Sequence, residues 1–138
     1  MPADFLSRIK QAPVLCDGAM GTLLYAKGIF INRSYDELNL SQPDLIRGIH
    51  HEYLQAGAEI IETNTFNAQR ISLADYHMEP LAYELNFEAA KIAKKAIQEF
   101  FADPATDKGG RESAYVAGAI GPLNKTLSLS PDVNNPGY

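Results

Sequence analysis

Apolar positions recur along the chain in two rhythms: short unbroken runs, and longer stripes spaced three and four residues apart. The runs are Val14-Leu15-Cys16, residues 59–66 (EIIETNTF) and residues 114–121 (AYVAGAIG). Each is brief and bounded by Pro, Gly or small polar residues, which predicts three strands, the first of them buried. Between them lie the stripes. Leu45, Ile46, Ile49, Tyr53 and Leu54 share one helical face, and Leu81, Leu85, Ala89, Ile92, Ala93, Ala96 and Phe100 share another. For the first of these helices, Ser41 with Asp44 three residues on has a capping-box pattern, Pro43 suits the first turn, and Gly57 supplies the stop. Residues 3–11 and 67–78 predict short helices, 26–43 a loop, and 102–113 a polar turn. Residues 122–138 have no periodic pattern.

The order is strand, helix, strand, helix, strand, with connections long enough for parallel pairing. Right-handed crossovers then make a βαβαβ unit in the α/β class. In such folds the functional edge lies at the C-terminal ends of the strands. Three polar turns fall there: Asp17-Gly18-Ala19-Met20-Gly21-Thr22, Thr63-Asn64-Thr65-Phe66-Asn67 and Gly121-Pro122-Leu123-Asn124-Lys125.

Length and charge narrow the chemistry. With 138 residues the chain suits one domain, with no second domain marked. A net charge of −5 argues against a nucleic-acid surface, which needs clustered Lys and Arg. No window reaches the roughly 20 apolar residues of a membrane span, and the N-terminus lacks a secretory core, so a cytoplasmic setting is expected. The single cysteine, Cys16, makes neither an internal disulfide nor a zinc site of three or four protein ligands.

Each candidate also has a plain structural reading. Asp17 after a strand is commonly a turn former or helix cap, and Thr63-Asn64-Thr65 would equally satisfy buried backbone at a strand end. GAMG lacks the third glycine of a dinucleotide loop and the Lys-Ser/Thr pair of a phosphate loop. His50 and His51 are adjacent on a helix, cannot face one metal together, and are read as surface residues; His77 has no partner nearby. Cys16 points away from Asp17 by the period-two rule and is read as a packing residue. Lys91–Lys95 is read as a solvated helix face.

The segments LCDGAMGTLL, ELNLSQPDLIRGIHHEYLQAGAEIIETNTFNA, ELNFEAAKIAKKA and VAGAIGPLNKTLSLSPDVNNP together resemble the start of the homocysteine S-methyltransferase domain, from Val14 to the last residue. The tail resembles the cobalamin-dependent methionine synthase branch more than relatives that use betaine or S-methylmethionine. The resemblance implies an eight-stranded (β/α) barrel of the TIM type, of which residues 1–138 are an N-terminal fragment with about the first three strands. It implies a zinc ion holding the homocysteine sulfur as a thiolate, which attacks a methyl group of methylcobalamin. Asp17 would receive the substrate ammonium, backbone N–H groups at Gly18 and Ala19 its carboxylate, and Thr63, Asn64 and Thr65 would line the pocket.

The family's three zinc-binding cysteines have no counterpart here and are expected beyond Tyr138. Neither zinc nor methylcobalamin is expected to bind this fragment alone. The expected partners are homocysteine, the rest of the barrel, and cobalamin and folate domains, in cis or on a separate chain. An isolated piece would leave open strand edges and an uncovered interior, and is expected to be marginal in stability or to need a complement. The competing readings are a non-catalytic βαβαβ binding or assembly module, one piece of a split enzyme, and, with least support, a barrel aldolase or isomerase.

Overall fold

The computed structural model describes residues 4–30, 32–123, 125 and 134. Helices α1 (Phe5–Ile9), α2 (Met20–Ala26), α3 (Leu38–Ser41) and α4 (Pro43–Gln55) precede strand β1 (Ile60–Glu62). Helices α5 (Arg70–Leu73) and α6 (Ala82–Ala102) follow, then strand β2 (Tyr115–Ala117). The two strands pair in parallel, with Ile60, Ile61 and Glu62 opposite Tyr115, Val116 and Ala117. The α/β class and the parallel order are therefore those the apolar pattern predicts.

The first predicted strand is reduced to one parallel bridge, Cys16 to Ile60. Its ladder starts normally, with Ile60 N–H donating to Leu15 O at 3.1 Å and Asp17 N–H to Ile60 O at 3.0 Å. The next donor, Glu62 N–H, goes to Asp17 Oδ2 at 2.9 Å. A carboxylate oxygen thus takes the place a main-chain carbonyl would have, and pairing stops there. The segment is not buried as predicted: Leu15 is 55% exposed and Cys16 is exposed, because the core-forming helices α4 and α6 pack on the Ile61 side of the strands.

That covered side holds the main core. Ile61 points into it and packs with Leu54, Ala58, Ala93, Ala96 and Phe100, with Val116 of β2 alongside. Burying such side chains fully contributes about 1.5–3 kcal/mol each. A second cluster gathers Leu24, Leu38, Ile46, Ile49 and Ile92, so the two predicted stripes meet as the α4–α6 contact. Arg111 stitches the lower end, donating to the carbonyls of Leu54 and Ala58 at 2.8 and 2.6 Å and lying over the Phe100 ring. Helix α1 meets the strands through Phe5 against Tyr115 and Arg8 paired with Glu59.

Three local expectations are corrected. The Ser41–Asp44 capping box does not form: Ser41 ends α3, and Gln42 caps α4 without a side-chain bond. Gln42 precedes Pro43, and the proline ring excludes it from the helical region (φ −140°, ψ 56°), so the break falls one residue later than the pattern suggests. Residues 26–43 are not all loop, since α3 lies among them. His50 is not a surface residue. It is fully buried on the stripe shared with Ile46 and Leu54, and among the described residues neither ring nitrogen has a hydrogen-bond partner. Burial, with the neighbouring His51 charge, pushes its pKa down to about 4. His51 is half-buried and meets Glu99 at 3.1 Å.

Candidate functional site

The C-terminal ends of the strands open into a cavity of about 530 Å³. All six predicted site residues, Asp17, Gly18, Ala19, Thr63, Asn64 and Thr65, line it. Segments 46 residues apart in sequence, counted from Asp17 to Thr63, are thereby gathered by two parallel strand ends. Of the third predicted turn, Gly121 donates its N–H to Phe66 O at 3.0 Å and Asn124 lies outside the described residues; the wall is reached by Ala119, two residues before that turn.

Asp17 is the chemically exposed member. Its carboxylate is half-buried and anchored by Glu62 N–H. Burial raises its pKa to about 6 against that hydrogen bond, and the Glu62 charge adds to the rise. The turn behind it is close-packed: a Cβ on Gly18 would meet Tyr53 Oη at 3.0 Å, a contact the tyrosine would have to yield to. That proximity lets Tyr53 donate to Ala19 O at 2.9 Å and hold the turn where α2 begins.

Thr63, Asn64 and Thr65 are buried, and their polar atoms are engaged internally. Ala119 N–H donates to Thr63 Oγ1 at 3.1 Å, the two threonine hydroxyls lie 2.7 Å apart, and Thr65 Oγ1 donates to Ala119 O at 2.8 Å. Each hydroxyl has one proton, so the chain closes in one direction: Thr63 must donate to Thr65. Both protons are spent tying the two strand ends together. Asn64 Nδ2 donates to Tyr35 O at 2.8 Å and to Asn39 Oδ1 at 3.3 Å. These three residues build the wall; toward a ligand the threonines offer lone pairs rather than protons.

Sequence reasoning missed part of the lining. Tyr35 and Asp36 come from the segment read as loop, where no periodicity or motif marks them. Asp36 is 3% exposed, and burial raises its pKa against hydrogen bonds from Asn67 N–H and the Ser34 hydroxyl. Cys16 also lines the cavity and is exposed, so the packing role predicted for it is corrected: its side chain faces open space at the cavity wall. Partial burial and the Asp17 and Glu62 charges hold its thiol above the usual range.

The lining carries three acids, Asp17, Asp36 and Glu62, and no Lys or Arg. Such a cavity attracts a cationic group, while an anionic group must be met by backbone N–H donors. Among the described residues no three His, Cys, Asp or Glu side chains are gathered to hold a metal, so the donor set here does not fit zinc. A second depression at the other end of the strands has its arginines committed to Glu59 and to backbone carbonyls. Among the described residues no helix is long and apolar enough to cross a membrane.

Fold and cavity together define a parallel α/β protein with an acidic cavity at its strand ends. The family model described as Homocysteine S-methyltransferase matches residues 14–137, and the chain belongs to that family. Among solved structures it is similar to the homocysteine methyltransferase MmuM from Escherichia coli in its metallated form. The identity is 27% and the TM-score 0.69, over 84% of this chain and 40% of that one. The oxidized form of the same enzyme matches with 28% identity and a TM-score of 0.67, over 78% and 37%. The chain thus spans about two fifths of the length of these solved relatives.

Proposed function

We propose that this chain is the amino-acid-binding part of an enzyme that methylates the sulfur of homocysteine to give methionine. The observation that carries the reading is the Asp17 carboxylate, fixed by Glu62 N–H at the mouth of a cavity without cationic side chains, in a chain of this family. The substrate ammonium would sit on Asp17 and its carboxylate on the N–H groups at Gly18 and Ala19. The wall of Thr63, Asn64 and Thr65 would orient the carbon chain so that the sulfur points away from Asp17.

In this reading residues 1–138 are one portion of a TIM-type (β/α)8 barrel, and the remaining strands, in cis or on a separate chain, cover the exposed side of Leu15 and Cys16. Those strands would bring three cysteine ligands for zinc, which when bound supplies a thiolate in place of a thiol. The metallated form of the E. coli relative supports a metal in the complete site. The methyl donor is proposed to be methylcobalamin, as in cobalamin-dependent methionine synthase, with cobalamin and folate domains as partners and a cytoplasmic setting. The portion described here would transfer no methyl group by itself.

Titration of isotopically labelled chain with L-homocysteine, followed by NMR, tests the binding half. Shifts centred on the amides of Gly18, Ala19 and Met20, lost in Asp17→Ala, are expected. Absence of saturable shifts in the wild-type chain, or equal affinity in Asp17→Ala, refutes the assignment.

A further inference from the structure

One segment outside the strand ends controls the shape of the cavity. Residues 34–39 hold the turn after β1 at both of its ends. At the near end Asn39 Nδ2 donates to Asn64 O at 2.7 Å, and Asn64 Nδ2 returns a bond to Tyr35 O. At the far end Asp36 Oδ1 accepts the N–H of Asn67 at 3.0 Å. Between the two clamps the turn carries Phe66, 57% exposed at the cavity rim, whose carbonyl accepts Gly121 N–H at 3.0 Å. The near clamp uses neutral amides in duplicate. The far clamp is a single bond from one N–H to a carboxylate oxygen of a buried side chain.

We propose that Asp36 is a positioning residue for the amino-acid pocket: by holding Asn67 N–H it keeps the residue 64–67 turn, with Phe66, closed against the Asp17 side of the cavity. This rests on the homocysteine reading above. Asp36 acts through the turn and not by touching the ligand, so the acceptor oxygen matters and the negative charge does not. The conservative variant separates these roles. Asp36→Asn keeps an oxygen facing Asn67, whereas Asp36→Ala removes it.

Homocysteine dissociation constants from the NMR titration provide the test, together with hydrogen exchange of the Asn67 amide. In Asp36→Ala the constant rises at least tenfold and Asn67 loses protection; in Asp36→Asn both stay within about threefold of wild type. If Asp36→Ala does not fold, wild-type protein still decides: saturating homocysteine must slow Asn67 exchange about tenfold more than it slows core amides such as Ile92, because ligand and closed turn are linked. Unchanged affinity in Asp36→Ala, equal weakening in both variants, or an Asn67 amide indifferent to ligand overturns the positioning role. Failure of the wild-type chain to bind homocysteine instead removes the substrate reading on which it rests.

Discussion

The carboxylate of Asp17 stands at odds with its surroundings, and replacing it by asparagine isolates the cost. Its pKa of about 6 lies roughly two units above the ordinary 3.8. At about 1.4 kcal/mol per unit the full shift corresponds to about 3 kcal/mol. Asp17 is only half-buried, and solvent screening reduces this to about 1–1.5 kcal/mol. The sign follows from proton counting. Between pH 3.8 and about 6 the folded chain holds a proton that the unfolded chain has released, so stability falls as pH rises through that window. Above it the ionised group is a standing burden.

Asp17→Asn removes the charge and keeps an oxygen for Glu62 N–H. In urea unfolding at pH 7.5 it should stabilise the chain by about 1 kcal/mol, or about 3–5 °C in Tm. At pH 4.5, where the native carboxyl is already mostly neutral, the gain should fall below about 0.5 kcal/mol. The same substitution should weaken homocysteine binding, because the ammonium loses its counter-charge. Opposite effects on stability and affinity are the signature of a group retained for its ligand. A loss of stability at pH 7.5, or a gain independent of pH, would refute the reasoning.

Two further substitutions probe the frame. His50→Leu removes two unpartnered nitrogens from the helix interface and should raise stability at pH 7 by about 1–2 kcal/mol. Because the His50 pKa is pushed down to about 4, the wild-type chain should lose stability as pH falls from 6.5 toward 4, and the variant should lose less; superimposable acid limbs in urea titrations would count against this. Gly121→Ala would place a Cβ 2.2 Å from Phe66 O. It should cost about 2–3 kcal/mol in urea unfolding through separation of the two turns, and a neutral effect would contradict the observed packing.

Much of this molecule follows from its apolar pattern alone. Stripes at helical spacing place α4 and α6, and unbroken runs ended by polar residues place the parallel strand ends, because side-chain periodicity is a local consequence of backbone geometry. The cavity was legible in part: the residues at the first two of those ends, Asp17 to Ala19 and Thr63 to Thr65, share it. His50 was misjudged: its polar identity argued for the surface, whereas its place on the Ile46–Leu54 stripe puts it in the core. What only the tertiary structure decided is which polar groups are free. The Thr65 proton is consumed by Ala119 O and the Thr63 proton by Thr65, the Asn64 amide by Tyr35 and Asn39, and Glu62 N–H by Asp17 itself. Asp36 enters the cavity from a segment with no periodic signal, held by an amide 31 residues away. Hydrogen bonds of that reach depend on how elements pack, and no spacing along the chain encodes them.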